Sequence, residues 1–367
     1  MNKPDLTKVK RVLIIRARAI GDVILTTPMI RAIRKALPDA EIDFMVEPFA
    51  APALEGNPYI SNIILLKRHK MKKELPSVRK LLKPEDYSFL ARFGETIGLY
   101  SLIMGRKYDV VFDLWGNLRT AMLTFFSGAK YRAGFNYRVR KYFYNLRFSP
   151  DIKTKYNVYY HMDLLKTAGI PEDGGKTDFF IFPEDEKFAD DYLKSVGAQA
   201  GGKIIGINGM GSWFTKRWQT EKFAGLIDAL VKKDKNYCFI ITWGPGEKEL
   251  AEKIFTTVKE NKNNVMLAPD TSIKQLGALI KKFDLLVTND GAPKHIAVAV
   301  GTPTLTIFGP TNYKAWGPSD NPLHLEVHSA DKCAPCEKMS CDNFICMENI
   351  SVEEVLEKSL RLLESGR

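Results

Sequence analysis

The 367-residue chain is 45% hydrophobic, yet nothing in it approaches the ~20 consecutive apolar residues of a membrane-spanning helix. Its first apolar run, Val12 to Ile15, is too short for the core of a secretory signal. A cytoplasmic protein is expected, with at most peripheral contact on the inner face of the cytoplasmic membrane. No G-x-G-x-x-G follows that first run, which counts against a nicotinamide or flavin enzyme, and the Gly-rich loop at 209–218 is not a Walker loop. Low-complexity segments and sequence repeats are absent. Cysteine is scarce, at five residues, but four of the five fall between 333 and 346.

What is present begins with charge. The net +11 belongs wholly to residues 1–185, while residues 186–367 carry equal numbers of both signs. A field of that sign draws in phosphorylated glycolipid, an anionic membrane surface or nucleic acid, although solubility alone would also account for it. The length exceeds the ~250–300 residues at which single cores stop growing, so two domains are expected.

Short apolar runs alternate with helical patterns. Val12–Ile15, Glu41–Val46, Asn62–Leu66 and Asp109–Asp113 read as strands. Between the first two, a helix follows Gly21, with Val23, Thr27, Ile30, Ile33 and Leu37 on one face and Pro38 ending it. The pattern loosens at 151–202, where Pro171 to Gly175 is a turn cluster. A second series then supplies strands at Lys203–Asn208, Tyr237–Thr242, Asn264–Ala268, Asp284–Thr288 and Thr304–Phe308. Ser351-Val352-Glu353-Glu354 is a capping box for a final helix. This order predicts an α/β chain of two Rossmann-like domains with mostly parallel sheets facing a shared cleft. The domains are 1–185 and 186–350, with the helix 351–367 packing back toward the first.

Loops at strand carboxyl ends are where ligands bind in such sheets. Arg16 to Asp22 follows the first strand, and there Asp22 stands at a helix N-terminus, either as a cap or as a working carboxylate. In the second half, Gly209 to Trp218 offers Lys216 and Arg217 beside glycines and hydroxyls, a set suited to a diphosphate. Trp243 to Glu247 could meet ribose hydroxyls through Glu247. Asn289-Asp290-Gly291-Ala292-Pro293-Lys294-His295 opens a helix whose free N–H groups form an anion site, although His295 by itself reads as structural. Together the loops of the second half describe a nucleotide-diphosphate site, and the acceptor falls to the basic first half.

With these loops in place the chain resembles the ADP-heptose:lipopolysaccharide heptosyltransferase family, glycosyltransferase family nine, which has the GT-B fold. The resemblance rests on Ile20-Gly21-Asp22-Val23 with Thr26-Thr27-Pro28, on Tyr108 to Arg119, on Thr215-Lys216-Arg217-Trp218, and on Gly301-Thr302-Pro303 with Phe308-Gly309-Pro310-Thr311. It implies inverting transfer of heptose from ADP-heptose to a lipopolysaccharide inner-core acceptor, without metal or other cofactor. Asp22 would be the general base and Lys216 would offset charge on the leaving diphosphate. Glu247 would meet the ribose, and Asp290 would contact the donor sugar or order its loop. The family usually has Asp-Ser/Thr-Gly where this chain has Asp290-Gly291-Ala292, so backbone N–H groups or Lys294 must compensate. A different nucleotide sugar, or a non-catalytic nucleotide-sugar-binding protein, remains the alternative.

Two basic stretches suit an anionic glycolipid acceptor: the run at 67–73, and Lys130–Arg147, which holds six Lys/Arg and six aromatics. Arg119, Arg138, Arg140 and Lys141 are the acceptor-binding candidates. Single-stranded nucleic acid would suit the same mixture, but no RNA-binding motif accompanies it and no nucleic-acid partner is expected. Cys333, Cys336, Cys341 and Cys346 have zinc-like spacing only in the first pair, which leaves metal, disulfide and free thiol open.

Overall fold

In the computed structural model the described residues are 4–67, 89–149, 154–198, 201–318 and 320–365. They form two compact units, Met1–Asp151 with Val158–Lys176, and Ile152–Asn157 with Thr177–Arg367. Each unit is built on a six-stranded sheet in which every pairing is parallel.

In the first unit the elements run β1 (Arg11–Ile15), α1 (Ile20–Ile24), α2 (Thr27–Ala36), β2 (Glu41–Val46), β3 (Asn62–Leu65), α3 (Phe89–Gly105), β4 (Val110–Asp113), α4 (Leu118–Phe126), β5 (Tyr131–Phe135), β6 (Leu146–Phe148) and α5 (Asn157–Thr167). The strand order is β3-β2-β1-β4-β5-β6. Val12, Leu13, Ile14 and Ile15 of β1 are all buried. A central parallel strand is covered on both faces, so it reads as an unbroken apolar run rather than an alternating one. The helix expected after Gly21 is in fact two. Pro28 has no N–H to continue the ladder, and the Thr26 and Thr27 hydroxyls instead donate to the carbonyls of Val23 and Ile24 at 2.6 and 2.7 Å. The turn cluster at 171–175 is anchored: Asp173 accepts from Arg31 at 2.5 Å and pairs with Lys35, both on α2.

The second unit contains α6 (Pro183–Ser195), β7 (Ile204–Asn208), α7 (Thr220–Lys233), β8 (Cys238–Ile241), α8 (Lys248–Thr257), β9 (Val265–Leu267), α9 (Ile273–Lys281), β10 (Leu285–Asn289), α10 (Ala292–Val300), β11 (Thr304–Phe308), α11 (Tyr313–Trp316), β12 (His324–His328), α12 (Ile345–Glu348) and α13 (Val352–Ser365). Its order is β12-β11-β10-β7-β8-β9. Counted from the first strand of each sheet, both follow the same 3-2-1-4-5-6 pattern, with the reversal between β1 and β4 and between β7 and β10. In open parallel sheets that reversal is where ligands bind.

The apolar stripe of the last helix packs within the second unit. Val355, Leu362 and Leu363 of α13 are buried in the apolar core of the second unit, with Trp218, Phe223 and Ile350. Its apolar stripe is satisfied there, and Ser351 caps it by accepting from the Glu354 N–H at 3.1 Å. Of the cationic run 67–73 only Lys67 lies within the described residues, and residues 366–367 also fall outside them. Among the described residues no helix is long and apolar enough to cross a membrane.

Burial also leaves a pH signature. His161 and His324 are held neutral by desolvation, which lowers them to about 3 and about 4, and His295 falls well below its ordinary value. The unfolded chain takes up these protons near pH ~6.5, so it binds more protons than the fold as pH drops. Stability is therefore full above about pH 6.5 and lost on acidification toward the folded values. His324 accepts or donates one hydrogen bond with Thr304 at 3.0 Å, which a glutamine can keep. Urea unfolding of His324→Gln should show a shallower loss of stability than the parent between pH 6 and 4, by up to about 1.4 kcal/mol per pH unit. Parallel pH curves would show that His324 does not contribute.

Candidate functional site

The first unit's reversal point holds Asp22 on α1. Arg16, the residue after β1, donates to the Leu114 carbonyl at 2.6 Å and pairs with Asp22 Oδ1 at 2.7 Å. Asp22 Oδ2 accepts the Ala19 N–H at 2.8 Å, so the carboxylate does cap its helix while one edge stays partly open, at 18% exposure. Trp115 lies under both Arg16 and Arg18, at 5.5 and 5.6 Å from the ring centre. Burial opposes the charge on Arg16, but Asp22, Tyr160 and Asp113 together hold its pKa above the ordinary value.

Asp113 ends β4 on the other side of the reversal and is fully buried. Its Oδ1 accepts the N–H groups of Trp115 and Gly116 at 3.1 and 2.8 Å, and its Oδ2 accepts the Tyr144 hydroxyl at 2.7 Å. Desolvation outweighs these bonds and pushes the carboxyl above the usual range. Tyr144 reaches Asp113 only because Gly134 has no side chain: a Cβ there would sit 2.6 Å from the tyrosine ring. Of the acceptor candidates, Arg140 joins this network by donating to the Gly116 carbonyl at 2.5 Å. Arg119 donates instead to the Lys67 carbonyl at 3.2 Å, Arg138 lies over Tyr137 and Lys141 over Tyr142.

The second unit's reversal point lies between the loop after β7 and the loop after β10, and Asn289 joins them. Its amide donates to the Met210 carbonyl at 3.2 Å and accepts the Trp218 N–H at 3.1 Å. Lys216 is thereby brought to Asp290, with Nζ 2.8 Å from Oδ2. Lys294 meets Oδ1 at 2.7 Å and the Thr311 hydroxyl donates to Oδ2 at 2.9 Å. Lys294 is wholly buried; it also donates to the Trp316 carbonyl at 2.9 Å and lies 4.7 Å from the Phe308 ring centre. Burial alone would raise Asp290, but the two ammonium groups outweigh it and hold the carboxyl well below its ordinary range. Lys294 is drawn down by burial, against the pull of Asp290.

The remaining donor candidates surround this cluster unevenly. Gly291 caps α10 without a side-chain bond, and Ala292 and Pro293 open its first turn. Arg217 donates to the Gly211 carbonyl at 2.7 Å, and Glu247 accepts the Gly244 N–H at 3.0 Å. Burial raises Glu247, while bonds from the Gly244 and Gly211 backbone and the charge of Arg217 pull the other way. His295 is buried, edge-on to Trp316, with its Nδ1 unpartnered; desolvation, then Lys294, keep it uncharged.

The cysteine-bearing segment is bonded to the loops beside Thr311 and Lys216. Cys336 and Glu337 N–H groups donate to the Pro310 carbonyl at 2.9 and 2.8 Å, and Thr215 donates to the Lys338 carbonyl at 2.9 Å. Gly309 permits that approach, since a Cβ there would meet Met347 Sδ at 2.5 Å and the Thr215 carbonyl at 3.0 Å. Cys346 is buried, Cys336 half-buried, and Cys333 and Cys341 exposed, all as free thiols. Burial, then its three cysteine neighbours, pushes the Cys346 thiol up to about 11. Among the described residues no three Cys, His, Asp or Glu side chains gather as a group that could hold a metal ion.

Arg16, Asn289 and Thr311 lie in segments that the sequence marks, but without their partners; Asp113 and Tyr144 were not among the candidates. Asp113 could have been found as the polar residue that ends one buried apolar strand, and Arg16 as the one that follows another. Tyr144 could not, because its partner is set by the β5–β6 pairing, which the sequence reading had not divided into strands.

The model of glycosyltransferase family 9 (heptosyltransferase) matches residues 99–344. Lipooligosaccharide heptosyltransferase 2 of Campylobacter jejuni is 28% identical over 353 residues, covering 95% of this chain and 96% of that protein. A glycosyl transferase family 9 structure from Veillonella parvula superposes over the full length of both chains with a TM-score of 0.80 at 24% identity. The structure of E. coli ADP-heptose lps heptosyltransferase II gives 0.74 at 18% identity, over 97% of this chain and 99% of that one. Two parallel sheets of this order give the GT-B-like fold of those structures. The chain belongs to glycosyltransferase family 9, the heptosyltransferases.

Asn289 has buried partners on both sides, so Asn289→Ala strands a carbonyl and an N–H. A loss of about 2–4 kcal/mol is expected in urea unfolding. A loss under about 0.5 kcal/mol, typical of surface changes, would mean the two loops hold together without it.

Proposed function

We propose that the protein transfers heptose from ADP-heptose to a lipopolysaccharide inner-core acceptor, by inversion and without a metal. The observation that carries this reading is the pairing of opposite chemistries at the two reversal points. A partly open carboxylate held by Arg16 stands at one, and a cation cluster around Asp290 at the other. The relatives' names support the donor and the acceptor class.

The acceptor hydroxyl attacks the anomeric carbon as the bond from that carbon to the diphosphate oxygen breaks. Asp22 takes the hydroxyl proton, and the diphosphate leaves with the bonding electrons. One base suffices for a single displacement. Arg16 orients the Asp22 carboxylate, being itself held by its bond to the Leu114 carbonyl and its contact with Trp115. Lys216 and the N–H groups opening α10 stabilise charge growing on the leaving group, as fixed dipoles and cations do when they need not reorganise. Glu247 meets the ribose. Arg138, Arg140, Lys141 and Arg119 receive phosphates of the acceptor.

Asp22→Asn should abolish transfer, measured as acceptor-dependent ADP release, while ADP binding by calorimetry persists. Near-normal turnover by that variant would sink the base assignment.

The same reading puts the protein in the cytoplasm, peripherally on the membrane. Phe126, Val139 and Tyr142 are exposed, with Phe125 edge-on to both Phe126 and Phe143, and Arg132, Lys141 and Arg147 over neighbouring rings. Apolar side chains among cations suit anionic headgroups. Co-sedimentation with phosphatidylglycerol vesicles should weaken about tenfold or more in the triple variant Phe126→Ser, Val139→Ser, Tyr142→Ser, and in high salt for the parent. Equal binding by parent and variant would refute the assignment of this face.

A further inference from the structure

The cluster at the second reversal point contains one more cation than a diphosphate-binding lysine needs. Lys216 and Asp290 in contact cancel: an anion arriving beside a tight ammonium–carboxylate pair meets a dipole rather than a charge. With Lys294 the three groups carry a net positive charge. Lys294 has no exposure of its own, so its effect on a ligand passes through Asp290.

The bonds around Asp290 divide the two lysines by role. Lys294 is fixed on all sides, by Oδ1, by the Trp316 carbonyl and by the Phe308 ring. Lys216 shares Oδ2 with the Thr311 hydroxyl and has 15% of its side chain exposed, with its ammonium 4.6 Å from the Trp213 ring centre. If Lys216 turns away, Oδ1 keeps Lys294 and Oδ2 keeps Thr311. No buried carboxylate oxygen is stranded, and no proton has to move.

We infer that Lys294 is a positioning residue that serves as the permanent counter-ion of Asp290, and that it thereby frees Lys216 to give its full charge to a bound diphosphate. The inference rests on the reading of the second unit as a nucleoside-diphosphate site.

The test is calorimetry with ADP, with UDP and GDP in parallel, and with adenosine as the ligand that lacks the charge. Lys294→Gln leaves an N–H donor on a side chain one atom shorter and removes the cation. ADP affinity should fall about tenfold or more, the scale of one uncompensated charge near a partly buried site, while adenosine affinity stays within about twofold of the parent. The double variant Asp290→Asn, Lys294→Met removes one charge of each sign and should bind ADP within about threefold of the parent. Rescue by the second substitution is what a mere packing role for Lys294 would not produce. Unchanged ADP affinity in Lys294→Gln, equal losses for ADP and adenosine, or failure of the double variant to recover would each overturn the inference. A parent protein that binds none of the three diphosphates would overturn it too, together with the donor reading, whereas ADP binding that is indifferent to Lys294 overturns the inference alone.

Discussion

The structure depends on a constraint of parallel sheets: the strand that starts the sheet ends in its middle. From β1 the chain winds outward one way, to β2 and β3, and must return to place β4 on the other side; β7 and β10 repeat this in the second unit. Helices leaving neighbouring central strands therefore diverge, and the loops between them are left with no element to cover them. The clusters around Asp22, Asp113 and Asp290 stand at these two gaps. The central strands β1, β4, β7 and β10 are buried almost throughout and supply rigidity and direction, with β4 and β10 each ending in a polar residue of a cluster, Asp113 and Asn289.

Charge is brought into these gaps with partners supplied in advance. Asp113 is fully buried and answered by two N–H groups and a phenol, Asp290 by two ammonium groups and a hydroxyl, and Asp22 by a guanidinium and a helix N–H. An unanswered buried carboxylate would cost several kcal/mol. The three solutions differ in consequence. Neutral donors leave Asp113 raised and hold a turn, whereas cations leave Asp290 ionised and able to hold a second cation at the surface of the cluster.

Much of this was legible in sequence because the signals are local. Apolar runs marked nine of the strands, and the glycines and cations after them marked the loops. Short strands escaped for physical reasons. β5 and β6 are only half buried, and their alternating cations and aromatics resemble a ligand surface more than a core; β12 is an edge strand with two histidines and a glutamate. The single helix expected at 21–37 divides because one missing N–H outweighs an unbroken apolar stripe. Candidate residues were identified by type and position, but their partners were not. That Asn289 joins two loops 71 positions apart, or that Lys294 is buried rather than solvated, follows from strand order and not from spacing. The last helix found its core in its own unit because Trp218, Ile350 and the β10–β12 strands present apolar surface that the sequence pattern of the helix alone could not locate.

The division of the chain into units is not a clean cut, and this matters during synthesis. The first unit needs residues 158–176: His161 of α5 bonds the Leu25 carbonyl at 3.1 Å, and Asp173 holds two cations of α2. A nascent chain that has completed all six strands of the first sheet still lacks the helix that closes over α1. Its strongly basic half must therefore wait, incompletely covered, until the further 28 residues from 149 to 176 have left the ribosome.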